Sequence, residues 1–512
     1  MALFKTTNQS FSWFRPYLIG LLLLSLGLRF WGIHRFNTLV FDEVYFAKFA
    51  YNYLSWTPFF DGHPPLSKYL IAVGMWVGSR LPFGQSEVNG LVGGLFAPWT
   101  YRWLNALTGS LIPLVIVGLA YQITHRHRYA AITGLFAALD GLFLVESRYA
   151  LNNVYLVIFG LLGLWCLLLS VEDGHPLKRG GWLLLSGICF GASASVKWNG
   201  LWFLLAAYGL GLAAQVNWQL FRRSPAQTSN FPPSTASPKP DGLENLARLR
   251  RWQGVIYLIA LIVVPCITYI LIWIPHLQLN AKLGFWTDLW NLQVEILRYH
   301  ERVGSGPKVH LYCSTWYSWL IMWRPVAYFY KITGKGDPLP SEVALPPSTA
   351  EKVIYDVHAM GNPFLWWFST AAIAIVLVLM GWLLVQQIAT RRKRRLDHQA
   401  QTDWMLPLAV SSTERSLLIV LAVCYLANLL PWLRVTRCLF IYHYMGASVF
   451  ASMALAWLVD RWLSSRQAQL RQLSIAIIAI VTLSFLFWLP VYLGLPLSSL
   501  GFSLRMWLRS WV

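Results

Sequence analysis

The sequence predicts an all-α integral membrane protein with about eleven transmembrane helices, and three observations carry that prediction. Of the 512 residues, 56% are hydrophobic and only 12% charged, too little polar surface to keep a globular chain of this size in water. Separate apolar runs recur at close to the roughly 20 residues that a helix needs to cross the hydrocarbon core. The basic residues behind the net charge of +20 stand in short clusters between those runs. That placement orients a membrane protein and argues against a nucleic-acid-binding domain. The 28 Trp and 23 Tyr suit interfacial belts, where an amphipathic ring keeps its N–H or O–H wet and buries its body.

In order, the runs fall near 17–33, 103–122, 129–146, 154–171, 181–197, 200–217, 254–274, 363–387, 415–432, 439–459 and 473–494. Lys5 and Arg15 precede the first and no small-residue cleavage site follows it, which predicts an uncleaved signal anchor with its N-terminus in the cytoplasm. The stretch 181–217 is interrupted only at Lys197, Trp198, Asn199 and Gly200, and one helix cannot use that length, so a hairpin is expected there. Alternation then places HRHR (125–128), Lys178 with Arg179, the 219–253 linker, RRKRR (391–395) and the Arg461, Arg466, Arg471 segment in the cytoplasm. Each of these clusters obeys the positive-inside rule.

Two long segments, about 34–101 and 275–361, fall outside and are expected to pack as interfacial helices, with 64–81 the best candidate. The Pro- and Ser-rich stretch 226–242 is expected to be a flexible linker. The expected division is an N-terminal catalytic module over 1–275, a second outer loop over 276–361, and a C-terminal four-helix module over 362–512. Cys166, Cys189, Cys266, Cys313, Cys424 and Cys438 lack paired spacing, so neither a disulfide framework nor a metal site is expected.

Ionisable residues at helix ends or inside apolar runs are costly in lipid and point to function. By the same parity they converge on the outside: Asp42 and Glu43 after the first run, Arg102, Glu146, Arg148, Lys197, Arg434, Arg437 and His443. Two arginines in one short outer loop oppose the positive-inside tendency, and an anion at the outer leaflet would explain them. The bland alternative is that each basic residue snorkels to the nearest headgroup.

The first outer loop, FDEVYFAKFAYNYLSWTPFFDGHPPLSKYL from Phe41 to Leu70, resembles that of the bacterial dolichyl- or polyprenyl-phosphate-mannose protein O-mannosyltransferase family, within the type C membrane glycosyltransferases. The positions that carry the likeness there are Asp42, Glu43, His63, Pro64, Pro65, Leu66 and Lys68. It continues through Arg102 in YRWLNALTGSL, Ser147 and Arg148 in ESRYALNN, Lys197 and Trp198 in VKWNGLWF, and His310 to Pro325 in HLYCSTWYSWLIMWRP. GNPFLWW (361–367) and RCLFIYHY (437–444) complete it. Two positions depart from the family pattern: Asn153 stands where an acid is usual, and Ser67 where glycine is. The second outer loop is too short for the β-trefoil domain of eukaryotic members.

The resemblance implies an inverting transfer of mannose from a polyprenyl phosphate to Ser/Thr hydroxyls of secreted or membrane proteins, on the outer face of the bacterial inner membrane. It implies membrane lipids as surroundings, no nucleic acid, no cofactor and no metal. Such a reaction needs a base for the hydroxyl proton and positive charge for the departing phosphate. Asp42 is the candidate base and Glu43 the candidate for positioning the acceptor, with a helix cap the plainer account of that pair. Arg102, Lys197 and Arg437 are the candidate phosphate ligands, with His63, Lys68, Arg148 and His443 as further substrate-binding candidates. A histidine placed like His443 is more often a packing residue, and His63 is equally read as a holder of its Pro-rich turn. A transferase acting on a lipid or glycan acceptor and a lipid-linked sugar transporter are the alternatives; the latter would show inverted repeats and mid-membrane charge.

Overall fold

The computed structural model describes residues 13–221, 251–334, 352–396 and 411–512, apart from 83, 85, 86, 305 and 307. The 226–242 linker lies outside the described residues, and RRKRR (391–395) is described only as helical backbone.

Every predicted apolar run coincides with a helix. α1 is Phe14–Phe30, followed by two short helices before the next long one, α2 (Glu43–Leu54) and α3 (Leu66–Gly78). α4 (Pro98–Thr124) leads to α5 (His127–Ala138) and α6 (Gly141–Arg148), one apolar run bent by 58°. Asp140 causes the break, since its carboxylate accepts from the Phe143 N–H at 3.0 Å and so caps a new helix inside the run. α7 (Asn153–Glu172), α8 (Pro176–Ala194) and α9 (Leu201–Phe221) follow. α8 and α9 are the expected hairpin, turned at Ser195–Gly200. Gly200 is required there because a Cβ would sit 2.3 Å from the Ser193 backbone.

α10 (Arg251–Leu279) and the amphipathic α11 (Phe285–Arg302) precede two strands, β1 (Val326–Gly334) and β2 (Lys352–Ala359). The last long helices are α12 (Pro363–Leu396), α13 (Ser412–Leu429), α14 (Met445–Leu463) and α15 (Ala468–Leu493). β1 and β2 pair antiparallel, and β2 also pairs with β3 (Leu497–Ser498), giving a small sheet in the order β1-β2-β3 that packs on α6 and α15. The chain is thus mostly helical, with the sheet an addition that the 276–361 pattern did not reveal. Its strands are short apolar runs without a clean alternation: all of β2 after Lys352 is buried.

Among the described residues seven helices are each long and apolar enough to cross a membrane, or eight counting the bent pair as one. α1, α8 and α14 coincide with the remaining runs but do not meet that test; α1 has only 17 residues. Burial sorts the set. The most apolar stretch of α7 is 78% buried and that of α10 only 17%, so α7 is central and α10 turns an apolar face to lipid. Polar clusters occupy the two ends of the bundle. At the Leu463 end of α14, Arg128 pairs with Asp460 at 2.6 Å and Arg461 with Glu414 at 2.7 Å. Tyr442 and His443 stand at the other end, about 28 Å away at 1.5 Å per residue.

Candidate active site

Asp42 opens α2, yet its side chain makes no capping bond and accepts no hydrogen bond among the described residues. Its neighbour Glu43 instead ties back the segment before the helix: Oε2 accepts from the Val40 N–H at 2.8 Å. Burial pushes the Asp42 carboxyl up to about 6, against the pull of the nearby Lys197 and with a further push from Asp61. A carboxylate with free lone pairs and a pKa near working pH suits a general base.

Lys197 is presented by the α8–α9 turn and is 5% exposed. Its Nζ donates to Asn153 Oδ1 at 3.0 Å and lies 5.2 Å from the Tyr442 ring. It borders a cavity of about 650 Å³ with His63, Trp198, His300, Arg434, Arg437 and His443. Arg437 Nη1 donates at 3.1 Å to the carbonyl of the next residue, its one side-chain bond among the described residues, so its other donors remain for a ligand. Burial holds the His63 imidazole well below its ordinary value, with Lys197, His300, Lys68 and Arg437 adding to the effect. Burial and Arg437 likewise bring His300 down to about 4. Both rings are shifted toward the neutral form, which suits hydrogen bonding to sugar hydroxyls better than charge compensation of a phosphate. His443 Nδ1 is engaged by the Phe440 backbone, at 2.9 Å from its carbonyl oxygen and 3.1 Å from its nitrogen, while the ring packs between Trp319 and Trp432. Its packing role is therefore satisfied, although one edge reaches the cavity.

Asp42 does not itself line that cavity, and neither do four other expected site residues, Glu43, Lys68, Arg102 and Arg148. Arg102 and Glu43 form a fully buried pair: Arg102 Nε reaches Glu43 Oε1 at 2.8 Å and Nη2 reaches Oε2 at 2.7 Å. The remaining Arg102 donors go to the carbonyls of Ile33, Phe36 and Thr38, and Glu43 also accepts from the Ala150 N–H. Arg148 donates to the carbonyls of Leu28, Arg29, Trp31 and Gly32, at and just beyond the end of α1, where carbonyls lack partners within the helix. Lys68 uses its three protons on Asp61 at 2.6 Å and on the carbonyls of His63 and Pro64. The structure shows these side chains engaged within the fold, and charge in an apolar setting is as well explained by locking loops onto helix ends as by a ligand.

The expectation of no disulfide is corrected. Cys313 and Cys438 are bonded across 125 residues, with Cα atoms 5.1 Å apart. Their spacing in sequence carries no signal because the fold, not a loop, brings them together. The bond ties the second long loop to the segment that bears Arg437, beside a bridge between Ser314 and Leu439. His300 was missed as well; it ends an amphipathic helix in no recognisable motif. Among the described residues no group of three or more His, Cys, Asp or Glu side chains is placed to hold a metal ion.

A mostly helical chain with a carboxylate, a lysine and an arginine gathered at one end of a bundle of apolar helices falls in the class of multi-pass helical membrane proteins. Within that class the family is shown by two family profiles. Dolichyl-phosphate-mannose-protein mannosyltransferase matches residues 19–280, and the C-terminal four-TMM region of protein-O-mannosyltransferase matches 285–511; the chain belongs to this family. Similar curated proteins include the polyprenol-phosphate-mannose–protein mannosyltransferases of Mycolicibacterium smegmatis, 22% identical over 528 residues, and of Corynebacterium glutamicum, 23% identical over 535. Each alignment covers 93% of this chain and 88% of the relative. Among solved structures, the Saccharomyces cerevisiae protein O-mannosyltransferase Pmt1–Pmt2 complex bound to the sugar donor matches with a TM-score of 0.71 at 14% identity, over 98% of this chain and 93% of that one. At that identity the match speaks for the fold.

Proposed function

We propose that the protein transfers mannose from a polyprenyl phosphate to Ser or Thr hydroxyls of exported proteins, on the outer face of a bacterial inner membrane that it crosses eleven times. The observation that carries the reading is the Asp42 carboxylate, free of hydrogen bonds among the described residues and within electrostatic reach of Lys197; Lys197 in turn borders one cavity with Arg437. Asp42 takes the proton of the acceptor hydroxyl as its oxygen attacks the anomeric carbon from the side opposite the phosphate. The bond from that carbon to the phosphate oxygen breaks, and its electron pair leaves with the polyprenyl phosphate. Lys197 and Arg437 stabilise the charge that develops there, Arg437 by forked donors and Lys197 as a point charge. One carboxylate suffices, and the sugar inverts without a covalent enzyme intermediate. His63 and His300, both neutral, bind sugar hydroxyls.

The outer placement is supported in two ways. The HRHR cluster lies at the end of the bundle away from the site, as the positive-inside rule asks of a cytoplasmic end. The Cys313–Cys438 disulfide lies beside Arg437 at the site end, and disulfides persist in an oxidising compartment. The reaction is tested by incubating purified protein with polyprenyl-phosphate mannose and a Ser/Thr-rich peptide. Labelled peptide is the expected product; label on lipid alone would sink the reading.

A further inference from the structure

A line of contacts that the reaction does not consume joins Lys197 to the backbone before Asp42. Lys197 Nζ donates to Asn153 Oδ1, and Asn153 Nδ2 donates to Glu146 Oε2 at 2.9 Å. The Tyr328 hydroxyl donates to Glu146 Oε1. An ammonium can only donate, so the carboxamide must face it with oxygen and offer its N–H to the carboxylate. Tyr328 is a bulge: the pairing of β1 with β2 passes from Ala327↔His358 to Phe329↔Val357 and leaves it out. Bulges re-aim side chains in this way. Its ring lies flat on Phe41, with centroids 4.2 Å apart and planes 7° from parallel. Phe41, next to Asp42, has φ of 52°, a left-handed conformation that a residue with a Cβ keeps only where its surroundings impose it.

We propose that Tyr328, Glu146 and Asn153 are positioning residues that hold the Asp42 carboxylate and the Lys197 ammonium in register, with Glu146 supplying the lysine's counter-charge through the Asn153 amide. This rests on the roles given to Asp42 and Lys197 above. Glu146 is fully buried and both its oxygens are engaged, so it is not a second base. The charged groups around Lys197 are Asp42, Glu146 and Asp61 on the acidic side and Arg437 on the basic side. Asn153 then has a role where the resembled family carries an acid: here the negative charge stands one hydrogen bond further back.

The test is a charge swap. Glu146→Gln removes the charge and keeps one acceptor oxygen for the Asn153 amide, its own N–H being able only to donate to the Tyr328 hydroxyl, while Asn153→Asp sets two carboxylates against each other. Each is expected to lower kcat by about tenfold or more, as a sub-ångström loss of register does. Glu146→Gln should also move the alkaline limb of the pH–rate profile down by about 1 unit, because Lys197 loses its counter-charge. The double variant Glu146→Gln/Asn153→Asp restores the charge directly beside Lys197 and is expected to return to within about threefold of wild type, as coupled neighbours do when their interaction is rebuilt. Tyr328→Phe keeps the ring stack and folding contacts, and it should shift the same limb in the same direction. A Glu146→Gln or Tyr328→Phe enzyme with wild-type kcat and an unmoved limb would overturn the proposal, as would a double variant no better than its weaker parent. Wild-type transfer is the control that separates the two claims: its absence refutes the reaction, whereas an active wild type with an indifferent network refutes only the network.

Discussion

Arg102 distinguishes a phosphate ligand from a structural lock, because the two roles respond oppositely to its removal. Arg102→Ala would leave Glu43, which is 0% exposed, as a buried carboxylate with only the Val40 and Ala150 N–H groups for company. It would also strip donors from the carbonyls of Ile33, Phe36 and Thr38. Breaking one partner out of a buried ion pair costs about 3–5 kcal/mol, and each orphaned buried carbonyl about 1–3 kcal/mol before relaxation or water entry. Taking the pair alone, the folded-to-unfolded ratio drops roughly a hundred- to several-thousand-fold, at 1.4 kcal/mol per factor of ten. The measurement is thermal unfolding in detergent, monitored by fluorescence-detected size exclusion, together with the donor KM of the folded fraction. The expected result is a large fall in Tm and, per folded molecule, a donor KM close to wild type. A variant with unchanged Tm and a donor KM raised tenfold or more would show that Arg102 is a phosphate ligand after all.

Asp42 yields a prediction in two observables. With its folded pKa raised to about 6, kcat/KM should fall tenfold per pH unit below about 6 and level off above it. Stability has the opposite sense: a raised folded pKa means that the folded state binds more protons between the unfolded value near 4 and about 6, so wild type loses stability as pH rises through that window. Asp42→Asn should therefore be inactive yet have a higher Tm than wild type at pH 7.5 and not at pH 4; full transfer activity would refute the base. Arg437→Ala and Lys197→Ala should each raise the donor KM or lower kcat by tenfold or more with acceptor KM little changed, and unchanged donor kinetics in both would remove the phosphate site. Cys438→Ser should cost about 2–5 kcal/mol of stability, as loss of a native cross-link does; it should also weaken donor binding by loosening the segment that holds Arg437. Unaltered non-reducing gel mobility, Tm and donor KM would show that the bond has neither effect.

The sequence by itself determined where helices form and which of their ends carry charge. Run length and the price of bare backbone in lipid leave one solution for each apolar stretch, and the runs at 103–122, 154–171 and 254–274 reappear within α4, α7 and α10. The same reasoning singled out Asp42, Lys197 and Arg437 as candidates, because ionisable groups at membrane depth are few and each needs an explanation. What the sequence did not determine was which of those groups are already satisfied. Arg102, Arg148 and Lys68 look no different from Lys197 in a string of letters. Whether a donor is free depends on carbonyls and carboxylates that the chain delivers from 60 to 120 residues away, or, for Lys68, from its own turn. The Cys313–Cys438 bond, His300 and the bulged Tyr328 were hidden for the same reason. Tertiary structure alone decides them, since hydrogen-bond saturation and cross-linking are properties of distances across the fold, whereas hydrophobic length and charge alternation are properties of the chain.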